Sequence, residues 1–486
     1  MRRPSDLSKG FVLPVLAIAL SGITGQASAQ TKDNVPASSP LPASWTPDAM
    51  RVELSNGMVL FLVEDHELPV VNIVARLTAG SLWESVEKPG VATVTAEVLR
   101  AGGTTDLPAD QLERMLDNYS ASLSVSISES VAHASLSAPQ ETVDAALRLF
   151  ADVLMHPAFS DDQVESAKLN ARTMIGTRTD ASHGKASSML DGLLYGIGSP
   201  YVRTPDATKI ESITRDDLVA FHEAFFHPNN VIVGVWGDFD TVAMVKMIDR
   251  AFEGWLPDPT FSAPPPPEYG TGAAAGIYVT HEPDSAQQTI LFGQSVALTQ
   301  SSPDYPATLL LNEVLSGRRG RLERHVRGQE DLADSVFGNL SAHFDRPGFL
   351  YTGVLTGSES IVEATKSVLH EMERLRDEEP STTEIEIART DWLKSTADPE
   401  TPSAIITRLM TYEAYGYPSD FRQRVIRGVK RVSPQDVMVA ARSYLHPDSL
   451  VVLVVGGEPG IGSRLEAIGP VRYLESNRSA PVSDDD

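Results

Sequence analysis

Residues 213–238 read ITRDDLVAFHEAFFHPNNVIVGVWGD, and residues 432–457 read VSPQDVMVAARSYLHPDSLVVLVVGG: one pattern, displaced by 219 positions without a gap. Each copy opens on a hydroxyl residue, Thr214 or Ser433, with an acid three positions later, Asp217 or Asp436. That spacing lets the hydroxyl and the carboxylate satisfy the backbone N–H groups left over at a helix start. Pro434 falls at the first helical position, where its missing N–H costs nothing. Each predicted helix ends at a His-Pro pair, because proline drives the preceding residue out of helical geometry. The apolar runs Val231–Trp236 and Leu450–Val455 then read as buried strands ending at glycine. A repeat this long marks a duplicated domain rather than a solenoid unit.

Working outward, the Asn56-Gly57 pair between extended segments signals a hairpin. Val70–Leu77 reads as a strand, 90–101 as a helix and 106–120 as a capped helix. Residues 122–128 and 132–138 alternate like paired strands, 141–157 read as an amphipathic helix, and a long helix starts at Asp161. Pro264–Pro267 followed by Gly270 and Gly272 read as a connector. The expected division is an export signal at 1–29, a tether at 30–46, a first half at 47–258, a connector at 259–275, a second half at 276–470 and an acidic tail at 471–486. Strands and helices mixed within each half predict α+β halves with mainly antiparallel sheets and helices packed on them, rather than a doubly wound parallel sheet.

Arg2, Arg3 and Lys9, an apolar core from Phe11 to Leu20, and the small residues Ala27-Ser28-Ala29 form the pattern of a cleaved secretory signal. A periplasmic address is therefore expected, with secretion the other possibility. The chain has no cysteine, so neither disulfides nor a lipidated N-terminal cysteine can anchor or staple it. Formal net charge is −25, and removing a signal with three basic residues and one acid leaves the remainder near −27. Such a balance argues against nucleic acid or an anionic membrane as partner.

Several landmarks occur in a shared order: Leu54-Ser55-Asn56-Gly57, Pro69-Val70-Val71, Gly80-Ser81 with Glu84, Gly90-Val91-Ala92 through Gly103-Thr104, Ser199-Pro200-Tyr201, and the strand into Gly237-Asp238. In this order and spacing the chain resembles the pitrilysin/insulinase family of zinc peptidases, in the small form related to the mitochondrial processing peptidase subunits. The resemblance covers residues 48–470 and implies one two-domain lobe of a clamshell. It also implies an inverted H-x-x-E-H helix and a distant glutamate as the zinc site. Histidines at i and i+4 share a helix face and can grip one ion. On this alignment the first histidine falls on Thr93, the catalytic glutamate on Ala96 and the second histidine on Glu97. With Glu165 as the family's marker acid, the remote ligand falls on Arg172. An ion pair between Arg172 and Glu97 is one expectation for this place.

Of the eleven histidines none forms H-E-x-x-H or H-x-x-E-H; His222-Glu223 with His227 comes nearest, at a spacing that points the rings apart. Active family members also use an arginine and a tyrosine of the second half on substrate backbone. Here those positions are Arg327 and Asp334. Arg327 has two readings, a peptide contact or a surface residue paired with Glu323 or Glu330. Arg318, Arg319, Arg321, Arg324 and Arg327 form a basic cluster suited to a carboxylate or an acidic partner, or to a solvated helix face.

The expectation is therefore a non-catalytic periplasmic subunit with no cofactor of its own, contributing chamber and peptide-binding surface to a zinc-bearing homologous subunit. The alternatives are an active zinc endopeptidase with unrecognised ligands and a stand-alone peptide-binding, chaperone-like protein.

Overall fold

The computed structural model describes residues 49–178, 182–196, 198–282, 287–397, 401–458 and 460–474. The expected export signal, the tether and residues 475–486 lie outside the described residues. Strands β1 (Ala49–Glu53), β2 (Val59–Glu64), β3 (Val70–Leu77), β4 (Ser122–Ile127), β5 (Ala132–Pro139) and β6 (Val231–Gly237) form one sheet in the order β1-β2-β6-β3-β5-β4. Strands β7 (Gly276–His281), β8 (Gln288–Val296), β9 (Ser335–Leu340), β10 (Gly348–Thr356), β11 (Val451–Gly456) and β12 (Val471–Leu474) form the other, ordered β12-β7-β11-β8-β10-β9. Five positions correspond pairwise in order and direction: β2/β7 run parallel to β6/β11, and the remaining ladders are antiparallel. This is the mixed, mainly antiparallel α+β pair of halves that the alternating strands and capped helices predict.

The sixth position breaks the symmetry. In the first sheet β1 runs antiparallel to β2, through the Asn56-Gly57 turn with Gly57 at φ 88°. In the second sheet β12 arrives from the far end of the chain and runs parallel to β7. Residues 471–474 therefore belong to the sheet, a correction to the expected tail. Four residues with Leu474 buried are too short for their period to stand out in sequence.

The repeated helices are capped as the sequence predicts. In Arg215–Phe225, Thr214 accepts from the Asp217 N–H while the Asp217 carboxylate accepts from the Thr214 N–H at 2.7 Å. In Pro434–Tyr444, Ser433 and Asp436 do the same. Both helices end before the His-Pro pair, whose prolines open short 3-10 turns instead. The helix Ala109–Asn118 differs from expectation: its start at Pro108 has no side-chain cap.

Side-chain alternation sends each sheet's two faces to different partners. Leu60 and Leu62 enter the first half's own core, while Phe61 and Val63 face the opposite way. What covers that second face comes from the other half. Helix Pro402–Tyr415 lays Ile406, Leu409 and Met410 on Phe61 and Val63, and helix Ser182–Tyr195 lays Ala186, Met189, Leu190 and Leu193 on Tyr278, Leu291 and Leu453 of the second sheet. Each half thus lends a helix to the other. Two glycines make the approach possible: a Cβ on Gly234 would stand 2.1 Å from Ile406 Cγ2, and one on Gly293 would stand 2.7 Å from Leu194 Cδ1. Arg51 of β1 adds a two-pronged hydrogen bond to Glu413 of the visiting helix, at 3.1 and 2.6 Å.

The connector is pinned to the first half. Trp83 Nε1 donates to Pro265 O at 3.1 Å, Tyr201 OH to Pro267 O at 2.8 Å, and Ala273 N to Leu193 O at 2.7 Å. Between Pro265 and Ala273 it is a strap held by named contacts.

Candidate functional site

Helix Val91–Ala101 starts at Gly90, whose φ of 107° is the left-handed geometry that glycine adopts without strain. Glu84 supplies the cap from outside the helix: its carboxylate accepts from the Gly90 N–H at 2.9 Å and the Ala92 N–H at 2.6 Å. Burial pushes the Glu84 carboxyl up, against the two backbone hydrogen bonds and the Arg203 charge, which favour its ionised form. Arg203 in turn donates to Glu84 O at 2.8 Å. The sequence marks Glu84 as a landmark; only the fold shows that it acts as a remote helix cap. Val91, Val94, Val98 and Leu99 anchor the helix in the first core.

Thr93, Ala96 and Glu97 lie on this helix, with Thr93 and Glu97 half-buried and Ala96 buried. The neighbouring helix Asp161–Arg178 carries Arg172, and the two helices pack together. The expected Arg172–Glu97 ion pair does not form. Arg172 is half-exposed, and its Nη1 pairs with Glu211 Oε2 at 3.2 Å, within the contact between its own helix and Ala207–Glu211. Glu165 is used by Lys168, whose buried ammonium sits 2.8 Å from it. A hydroxyl, a methyl, one carboxylate and a guanidinium turned elsewhere are not a donor set for zinc, which takes thiolate, imidazole and carboxylate ligands. Among the described residues no three His, Asp or Glu side chains are placed to hold a metal ion.

His222 and His227 are accounted for separately. His222 Nε2 donates to Leu154 O at 2.8 Å, with its ring stacked on Phe226 and edge-on to Phe159. Burial lowers this imidazole to about 4, so it stays neutral as a core hydrogen-bond donor. His227 stands 4.0 Å from Asp258 and packs on Phe261.

In the second half Arg327 lies in a π-helical stretch, Glu323–Gln329, half-exposed and paired with Glu323. The surface pair with Glu323 is formed. Asp334 points elsewhere and accepts from Gln287 Nε2 at 2.9 Å. No hydrogen bond or ion pair joins the two positions. The basic cluster is largely neutralised inside the chain: Arg319 pairs with Asp391 at 2.5 Å, and Arg321 and Arg324 both reach Glu384 at 2.9 Å. Arg321 is 3% exposed, with Glu371, equally buried, 3.9 Å beyond it.

That network makes a prediction about acid stability. Burial alone would raise the Glu384 carboxyl, but hydrogen bonds from Arg321 and the Ser381 backbone hold it at about 2. A carboxyl titrating lower folded than unfolded contributes stability that is intact above about pH 4.5 and lost as pH falls through about 2. Glu384→Gln should flatten that part of the stability–pH curve by up to about 3 kcal/mol. Urea melts across that range, with wild type and variant falling in parallel, would show that the pair contributes nothing.

The open edge beside the degenerate helix is the remaining feature of the site. The first sheet ends on β4, against which Val91–Ala101 packs. Ser122, Ser124 and Ser126 face outward along β4, and Leu123 faces the core.

Residues 60–189 match the family described as Insulinase (Peptidase family M16), and residues 212–391 match Peptidase M16 inactive domain. An uncharacterized zinc protease of Mycobacterium leprae is 25% identical over 219 residues, which is 44% of this chain and 49% of that protein, so the match spans about half the relative's length. A Pseudomonas fluorescens structure described as a peptidase M16 inactive domain superposes with a TM-score of 0.71 at 22% identity, covering 84% of this chain and 98% of that one. The periplasmic protease PqqL from Escherichia coli superposes with a TM-score of 0.68 at 16% identity, covering 93% of this chain but 49% of that protein.

Proposed function

Because this chain belongs to the insulinase family of peptidases (peptidase family M16), as one of its catalytically degenerate members, we propose that it is a non-catalytic periplasmic subunit. It completes a peptide-enclosing chamber with a zinc-bearing homologous subunit and holds substrate by strand addition. The observation that supports this reading is that the positions the family resemblance assigns to the metal site, on one intact helix pair, carry Thr93, Ala96, Glu97 and, with Glu165 as the marker acid, Arg172. The scaffold of the site is kept, its cap at Glu84 included, while its chemistry is gone.

Two further observations support it. The chain aligns with about half of a periplasmic relative, as a single lobe would. The β4 edge lies against the degenerate helix and presents unpaired backbone groups flanked by small serines, a surface suited to receiving an extended peptide. With the basic cluster engaged internally and Arg327 held by Glu323, that edge is the better-supported peptide contact.

The test uses the exported chain, residues 30–486, purified alone and together with the zinc-bearing homologue from the same genome. The chain alone is expected to leave a peptide library intact. Adding it should raise the homologue's kcat/KM on the order of tenfold or more, and Val125→Pro on β4, at a position whose N–H faces the open edge and not β5, should remove most of that gain by blocking the edge. Chelator-sensitive cleavage by the chain alone would mean an active peptidase. Peptide binding with no effect on the homologue would mean a stand-alone binding protein.

A further inference from the structure

The two halves meet along a seam in which charged groups are sealed without enough partners. Arg346, in the turn between β9 and β10, is 2% exposed, and its Nε and Nη1 have no hydrogen-bond partner among the described residues. Its nearest carboxylate is Asp345 at 3.5 Å, and its guanidinium lies over the Tyr201 ring at 5.9 Å. Opposite, in the corresponding turn between β4 and β5, Glu129 Oε2 is sealed from solvent and equally unpartnered. Asp191 comes from the exchanged helix Ser182–Tyr195. One turn on, Tyr195 stacks on Tyr201 and packs against Tyr269 of the strap and Phe349 of β10. Tyr269 OH and Ser199 Oγ are buried without partners as well. Unsatisfied polar atoms from both halves collect at one place, which is uncommon in a finished interior.

Buried carboxyls in such a place favour the neutral form. Burial, with the Asp191 charge acting in the same direction and Arg346 against it, pushes Glu129 up to about 7. Burial alone pushes Asp191 up to about 7. The tyrosines and the histidine facing the pair do not titrate with it. The hydroxyls of Tyr195, Tyr201 and Tyr269 are all raised by burial, and Tyr351, which shares a hydrogen bond with Ser187 of the exchanged helix, is raised too. His343, beside Arg346, is lowered by burial to about 4 and stays neutral.

We propose that this seam is a proton-held latch: protonated Glu129 and Asp191 keep helix Ser182–Tyr195 and the β9–β10 turn docked on the β4–β5 turn, and their ionisation releases the contact. When the seam opens, water reaches both carboxyls and they return to the ordinary carboxylate range. The closed form therefore binds more protons than the open form between about pH 4 and 7, and rising pH across that window favours opening. The elements that would part are the lent helix and the loops that pin it. The independently capped helices of each core stay folded.

Hydrogen exchange on the full exported chain tests this. Protection of the Leu190–Tyr195 amides, corrected for intrinsic exchange rates, should fall at least about tenfold between about pH 5 and about pH 8. Protection in helix Pro434–Tyr444 should not change. The double variant Glu129→Gln with Asp191→Asn should keep its low-pH protection at both values. Equal wild-type protection at the two pH values would overturn the latch, and so would a double variant that keeps the wild-type pH dependence. Should the double variant fail to fold, infrared titration of the wild type decides. Two carboxylic-acid C=O bands persisting at about pH 6 support the latch, and full ionisation there overturns it.

Discussion

The combined variant Thr93→His, Ala96→Glu, Glu97→His and Arg172→Glu is expected to bind one zinc ion per chain, where the wild type binds less than about a tenth of an equivalent. The scaffold for this exists: the helix Val91–Ala101 is capped, positions 93 and 97 share its half-buried face, and Asp161–Arg178 packs alongside. Two imidazoles four residues apart supply the grip, and a carboxylate on the second helix supplies the third ligand. The change at 172 also removes the pair with Glu211 and leaves two carboxylates facing each other. The metal-free variant should therefore be less stable than wild type, and zinc should raise its melting temperature. Dialysis followed by metal analysis gives the stoichiometry. A folded variant that holds no zinc would mean that position 172 is misassigned, because the two helix histidines would then lack their remote partner.

Ile406→Ala and Leu190→Ala should each cost about 2–5 kcal/mol of unfolding free energy. Both side chains are 0% exposed, yet neither belongs to the core of the half that encodes it. Ile406 fills the space over Gly234, which has no side chain to relax into the hole, and Leu190 stands over Gly293 in the same way. A cavity left over a glycine collapses poorly, so the upper part of the range applies. The two sites lie on different sheets with separate partners, and the double variant should be additive to within about half a kcal/mol. Urea denaturation measures both quantities. Losses below about 1 kcal/mol would show that the lent helices merely rest on their sheets, and that each half is stable without the other.

Much of this molecule is legible in local patterns. The caps at Thr214/Asp217 and Ser433/Asp436 are complete within four residues, so sequence spacing decides them before any tertiary contact exists. Strand β3 needs only its own period and β-branched content, and it runs over the residues expected, Val70–Leu77. The degeneracy of the 93–97 motif is legible for the same reason, since a metal-binding helix motif is defined by side chains at fixed offsets on one face.

The failures share the opposite property. Arg172 had Glu97 and Glu211 both available, and choosing between them depends on how the helix is rotated in the packed protein. The arginines around Arg321 read as a free basic surface because Glu384 and Asp391 lie sixty or more residues away along the chain. The strand at Val471–Leu474 is too short to declare itself, and only its place beside β7 makes it a strand.

By itself the sequence determined that the chain is a duplicated α+β protein carrying a degenerate peptidase site, because caps, periods and motif offsets are interactions between near neighbours. The tertiary structure alone decided that the halves exchange helices over Gly234 and Gly293, and that the sealed Glu129 Oε2 and Arg346 guanidinium meet the half-buried Asp191 at one seam. An apolar helix face records that it will be buried, but which sheet buries it is settled by shape between surfaces far apart in the chain.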